Sequence, residues 1–210
     1  TACADLEDGI DVDDGVEIGE STEGLVANVS KTWNQGDAPV ALGSSTDRFC
    51  YLTKIRGRFE GNGEEVRVYT QNGSWWLAGS SKQTGVQAVA NCVPLSGLYG
   101  YEAAVNWSQG QSPVYLGSTK VLFKGGCKPK SQGGGCDPDE ERKRVCFLTR
   151  VTGHFEGYGE RVETSLLGDS WYLGGASQQK HVAATARCLT GAKSFTKEYN
   201  WAQGANPTIM

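Results

Sequence analysis

The chain has 210 residues, with 29 Gly, one Met, seven Cys, 38% hydrophobic and 10% aromatic residues, and a formal net charge of -4. Abundant Gly disfavours a helical protein, because Gly weakens helix interiors and serves the tight turns between short strands. The sequence holds no apolar run near the ~18 residues needed for a membrane-spanning helix. Lys and Arg are scattered apart from the short cluster Arg142, Lys143, Arg144, so no nucleic-acid partner is indicated.

Residues 1–24 form an acidic arm. Asp5, Glu7, Asp8, Asp11, Asp13, Asp14, Glu17, Glu20 and Glu23 fall there without a Lys or Arg. Such an arm is a solvated tail or an element that promotes self-association with the mildly basic remainder. Within it, Ile10, Val12, Val16 and Ile18 flank an Asp-Asp-Gly turn, which is hairpin patterning. Cys3, in Thr-Ala-Cys-Ala-Asp, has no counterpart to pair with. It is read as lipid-bearing in the manner of a bacterial lipoprotein, or as unpaired or intermolecularly bonded. A lipid there is the one membrane link expected.

Next comes a motif spelled three times: WNQGDAP from Trp33, WSQGQSP from Trp107 and WAQGANP from Trp201. Between its copies, an offset of 96 aligns Cys50–Cys92 with Cys146–Cys188 without a gap, and about twenty of these 43 positions are identical. This is an internal duplication. It predicts one β domain over 25–104 and a second over 105–210. The second carries a disulfide-bearing insertion at 120–143, rich in Gly, Pro and charge and so read as a loop. The third motif copy leads only to PTIM, which matches PVAL and PVYL as the first apolar strand of a unit. Residues 207–210 are expected to complete the sheet of the second domain or to dock on a neighbouring chain.

Secondary structure follows from periodicity. In CYLTKIRGRFEG, Tyr51, Thr53 and Ile55 alternate against Leu52, Lys54 and Arg56. VRVYT, WWLAG and VQAVANC, with VETSLL, WYLGG and VAATARC, are short runs bounded by Gly, Asn, Asp and Ser. NGS (72–74) and GDS (168–170) read as hairpin turns. No sustained helical stripe is present. The expected fold is all-β, with two homologous disulfide-stapled sandwich- or barrel-like domains behind the acidic arm.

Cys50 with Cys92 and Cys146 with Cys188 occupy equivalent positions, and Cys127 and Cys136 share the insertion, so these three pairs are the simplest disulfide set. Each is worth ~3 kcal/mol. Zinc is the rival, but C-x-x-C is absent and His154 and His181 are isolated. No signal-peptide pattern opens the sequence, which reads as mature or cytosolic. Disulfides decide for an oxidising compartment, outside the cell or on its surface.

The repeated F-E-G-x-G-E sets Glu60 with Glu64 and Glu156 with Glu160, two carboxylates four apart in each copy. Paired carboxylates serve glycosidases or bind calcium, the one cofactor they suit. The Gly-x-Gly between them favours a structural turn in which the glutamates bond backbone amides. G-x-S-x-G and phosphate-loop patterns are absent, so no catalytic residue is assigned.

Aromatic residues are the stronger lead. Trp75/Trp76 and Trp171/Tyr172 are adjacent on strands, so one ring of each pair faces inward and the other outward. An outward ring offers a stacking face to a sugar. The candidate ligand residues are Trp33, Gln35, Trp76, Gln83, Trp107, Gln109, Tyr172, Gln179 and Trp201, with Asn34 nearby. For the W-x-Q-G-x-x-P copies themselves the commoner reading is a packed Trp whose Gln bonds backbone at a turn.

In its tandem copies and its Trp, Gly, Gln and Asn content the chain resembles bacterial carbohydrate-binding modules and small β lectins. It lacks the ricin-type Q-x-W, and Lys54 and Arg150 stand where the βγ-crystallin pattern needs an aromatic. The expected function is non-catalytic binding or adhesion, with a glycan or cell-surface ligand as partner. The alternative is a structural subunit of an extracellular fibre or coat, a homo-oligomer or polymer assembled through the arm and the terminal strand. A secreted hydrolase comes third.

Overall fold

The computed structural model describes residues 27–61, 63–121, 142–156 and 160–192, and among them the regular elements are all strands. The part of the chain before residue 122 carries β1 (Val29–Asn34), β2 (Val40–Ser44), β3 (Arg48–Arg56), β4 (Glu65–Gln71), β5 (Ser74–Ser80) and β6 (Gln87–Pro94). It continues with β7 (Gly100–Tyr101), β8 (Val105–Ser108), β9 (Val114–Ser118) and β10 (Lys120–Val121). Residues 142–192 add β11 (Arg142–Thr152), β12 (Arg161–Leu167), β13 (Ser170–Ala176) and β14 (Ala183–Ala192). No helix among the described residues is long and apolar enough to cross a membrane. The acidic arm with its hairpin pattern, Cys3, Cys127, Cys136, Trp201 and the strand expected at 207–210 lie outside the described residues.

The chain is all-β, with two disulfides among the described residues. Among the described residues three sheets form: β1-β6-β3, β12-β13-β9, and a larger one ordered β2-β5-β4-β11-β14-β7, onto which β8 and β10 also pair. None closes on itself, so the barrel alternative is set aside. Cys50 sits directly opposite Cys92 on β3 and β6, and Cys146 opposite Cys188 on β11 and β14, and both pairs are bonded.

Local chemistry explains the turns. Asn72 and Gly73 take φ of 49° and 73°, the double positive-φ turn that lets a two-residue loop match strand twist between β4 and β5. Gly168 starts the equivalent link between β12 and β13. The alternation expected in β3 breaks at Thr53, where a bulge shifts the register between Leu52 and Lys54. β11 bulges at the corresponding Thr149. Both hydroxyls donate across the gap, Thr53 to Val89 O and Thr149 to Thr185 O, each at 3.3 Å.

The insertion is not loop throughout. Its two ends pair as β10 and β11, Lys120 opposite Lys143 and Val121 opposite Arg142.

The large sheet runs across the boundary expected at residue 104. β4 joins β11 antiparallel, Val66 opposite Val151, and β7 pairs with β14. Around this seam Thr152 Oγ1 and Gly153 N both donate to Glu64 O, and Phe59 packs edge-on against Phe155. Tyr51 stacks on Phe147 with ring centroids 4.1 Å apart, and burial raises the pKa of the Tyr51 phenol. One core gathers Trp33, Phe49, Trp75 and Leu77 together with Val151 and Leu189 from the far side of the seam. A second gathers Trp107, Trp171, Leu173 and Val182.

Candidate functional site

The W-x-Q-G-x-x-P copies are structural in their described instances. Trp33 and Trp107 are each 1% exposed, so neither ring offers a face to a sugar. Both match the packed reading of the motif. Each indole Nε1 donates at 3.0 Å to a backbone carbonyl four residues on, Asp37 O for Trp33 and Gln111 O for Trp107. Gln35 and Gln109 reach across to Ser81 O and Ser177 O and so tie the turn to the loop after β5 or β13. Gln83 and Gln179 use their backbone N–H on the hydroxyls of Ser81 and Ser177. Asn34 bonds Asp37 and Gln87.

The buried Trp explains a glycine that motif reading passes over. A Cβ on Gly79 would lie 2.4 Å from the Trp33 ring, and one on Gly175 would lie 2.8 Å from that of Trp107. The Gly that closes each W-[WY]-L-x-G run, Gly79 or Gly175, is therefore the seat of the motif tryptophan.

The glutamates also serve the turns. Glu64 is 2% exposed, and its Oε1 accepts the Lys82 backbone N–H. Its Oε2 is buried without a hydrogen-bond partner among the described residues. Glu160 accepts from Glu156 N and from Ser177 Oγ, and lines a cleft of about 440 Å³ with Trp107, Gln111 and Ser177. Glu60 and Glu156 point elsewhere, toward Arg58 at 3.5 Å and His154 at 2.8 Å. No group of three or more His, Cys, Asp or Glu among the described residues is placed to hold a metal ion.

The two adjacent aromatic pairs divide between faces. Trp75 is fully buried, with its Nε1 bonded to Arg48 O, and Trp171 is 6% exposed with its Nε1 on Arg144 O. Trp76 and Tyr172 lie on the opposite faces of their strands and are half-buried. Trp76 pairs across β4 and β5 with Tyr69, and the two rings line a groove of about 300 Å³ with Pro39, Gln71 and Asn72. Comparison with protein-family models, curated proteins and solved structures finds no match.

On the second sheet Tyr172 pairs with Tyr115 of β9, ring centroids 5.7 Å apart. Tyr115 is 57% exposed and Leu167 72%. Tyr69, Pro39, Asn72 and Tyr115 are absent from the sequence-based candidates. A strand-level register would have found Tyr69, since it lies as far before the Asn-Gly turn as Trp76 lies after it.

Proposed function

We propose that the chain is a non-catalytic binding protein whose ligand is a glycan held on outward aromatic rings. The supporting observation is the groove where Trp76 and Tyr69 stand side by side with the amides of Gln71 and Asn72. Flat apolar rings flanked by a few directional polar groups suit a pyranose, which has apolar C–H faces and a hydroxyl rim. The proposal includes two homologous disulfide-stapled units of sandwich type, one aromatic face on each, giving avidity for a repeating ligand. Extracellular or cell-surface placement belongs to the same reading, and the disulfides are compatible with it. The engagement of Glu64 and Glu160 in backbone and hydroxyl contacts favours binding over hydrolysis.

The test is retention on a glycan array by the full chain and by Trp76→Ala. Loss of a central aromatic anchor is worth about 2 kcal/mol or more, roughly thirtyfold in affinity. The variant is expected to lose the retained glycans and keep its unfolding midpoint. Equal retention by both proteins would remove the groove from the function.

A second reading, a structural subunit of an extracellular assembly, is favoured by one observation. Among the described strands β12 pairs with β13 alone, and the exposed Leu167 and Tyr115 stand on that sheet. A bare strand edge with apolar neighbours invites strand addition. Native mass in solution is expected to exceed that of a monomer under this reading, and Leu167→Lys to return it to monomer. A monomeric parent chain ends the reading.

A further inference from the structure

The aromatic groove has a charged margin that a neutral ligand does not explain. Arg67 on β4 and Arg150 on β11 are directly opposed across the seam. Like charges in that position disfavour strand pairing. Glu65 lies between them, with Arg67 Nε 3.2 Å from Oε1 and Arg150 Nε 2.8 Å from Oε2. One carboxylate thus serves two guanidinium groups, and the cluster keeps a net positive charge. The guanidinium groups remain open to solvent, with side-chain exposures of 48% for Arg67 and 41% for Arg150, whereas Glu65 is at 16%.

The position of this surplus charge matters. The Arg67 guanidinium carbon stands 4.7 Å from the centroid of the Tyr69 ring, and Tyr69 lines the groove. The groove lining itself carries no charged side chain. We propose that the ligand of this face is an acidic glycan. One sugar stacks on Trp76 and Tyr69, and the carboxylate or sulfate of that sugar or its neighbour is held by Arg67, with Arg150 behind it. Guanidinium groups suit this task because their planar donors fit a carboxylate or sulfate in a two-pronged contact. The bound anion also relieves the opposition of Arg67 and Arg150.

The second aromatic face lacks the feature. At the position corresponding to Arg67 it has Glu163, held 2.8 Å from Arg161 on its own strand. Acid selection is therefore a property of the first face alone, and the two faces are not interchangeable.

This inference rests on the glycan-binding reading and fails separately from it. The full chain is tested on an array holding neutral, uronate-bearing and sulfated glycans, then titrated with a retained glycan at low and high salt. The expected result is retention of acidic members and affinity that falls with added salt. Arg67→Gln is expected to lower affinity by about tenfold or more, since a hydrogen bond to a charged group is at stake. The uronate and sulfate arms separate the two acid sources. Retention of neutral glycans with Arg67→Gln equal to the parent overturns acid selection, while loss on Trp76→Ala keeps the aromatic site. An array that retains nothing removes both.

Discussion

Replacing Trp33 by Ala is expected to cost about 3–5 kcal/mol of stability, the usual range for deleting a large aromatic from a packed core. In a chain of this size that lowers the thermal midpoint by roughly 10 °C. The ring is 1% exposed, sits against Gly79 and anchors its N–H on Asp37 O, so its loss leaves a cavity and an unpaired carbonyl together. The check is urea unfolding of the oxidised protein followed by circular dichroism. A loss under about 1 kcal/mol would mean the motif tryptophan is not a core residue. The contrast with Trp76→Ala sharpens the test. One substitution is expected to damage the fold, the other only binding.

Removal of both described disulfides is expected to leave the chain unfolded near body temperature. Each closes a loop of 42 residues, and a closure of that length restrains the unfolded chain by about 3–4 kcal/mol. Two such losses match the whole stability of a typical domain, about 5–15 kcal/mol. The single pair Cys50→Ala with Cys92→Ala is expected to survive at lowered stability, since the other pair still ties β11 to β14. Comparing reduced parent, each double alanine variant and the fourfold variant by thermal unfolding gives the answer. A fourfold variant with the parent's midpoint would refute the assignment of stability to these bonds.

Much of this was legible in the residues. Composition disfavoured helices, the 96-residue offset brought the cysteines into register, and adjacency on a strand placed Trp75 and Trp76 on opposite faces. Packing and ligand contact stood side by side for Trp33 and Trp107, because a motif copied three times reads the same in one dimension whether its ring is packed or exposed. The informative signal was the glycine two residues past each W-[WY]-L, which makes sense only if something large lies over it. The groove partners Tyr69 and Pro39 needed strand register, which one-dimensional periodicity leaves open by one residue at every bulge, as at Thr53 and Thr149. The Arg67–Arg150 pairing was invisible for a stronger reason. It joins residues 83 apart through a sheet that crosses the repeat boundary, and no pattern within either copy encodes it.

That crossing also sets an order in time. As the chain emerges from the ribosome, β4 is available long before β11 exists, and its outer hydrogen-bonding groups wait for a partner more than 80 residues away. Pairings so distant in sequence form slowly, because loop-closure entropy must be overcome before contacts reward it. During the wait an unpaired edge on a nearly finished half is open to the same edge on another nascent chain. Productive folding of this protein is thus a race between its own second half and its neighbours.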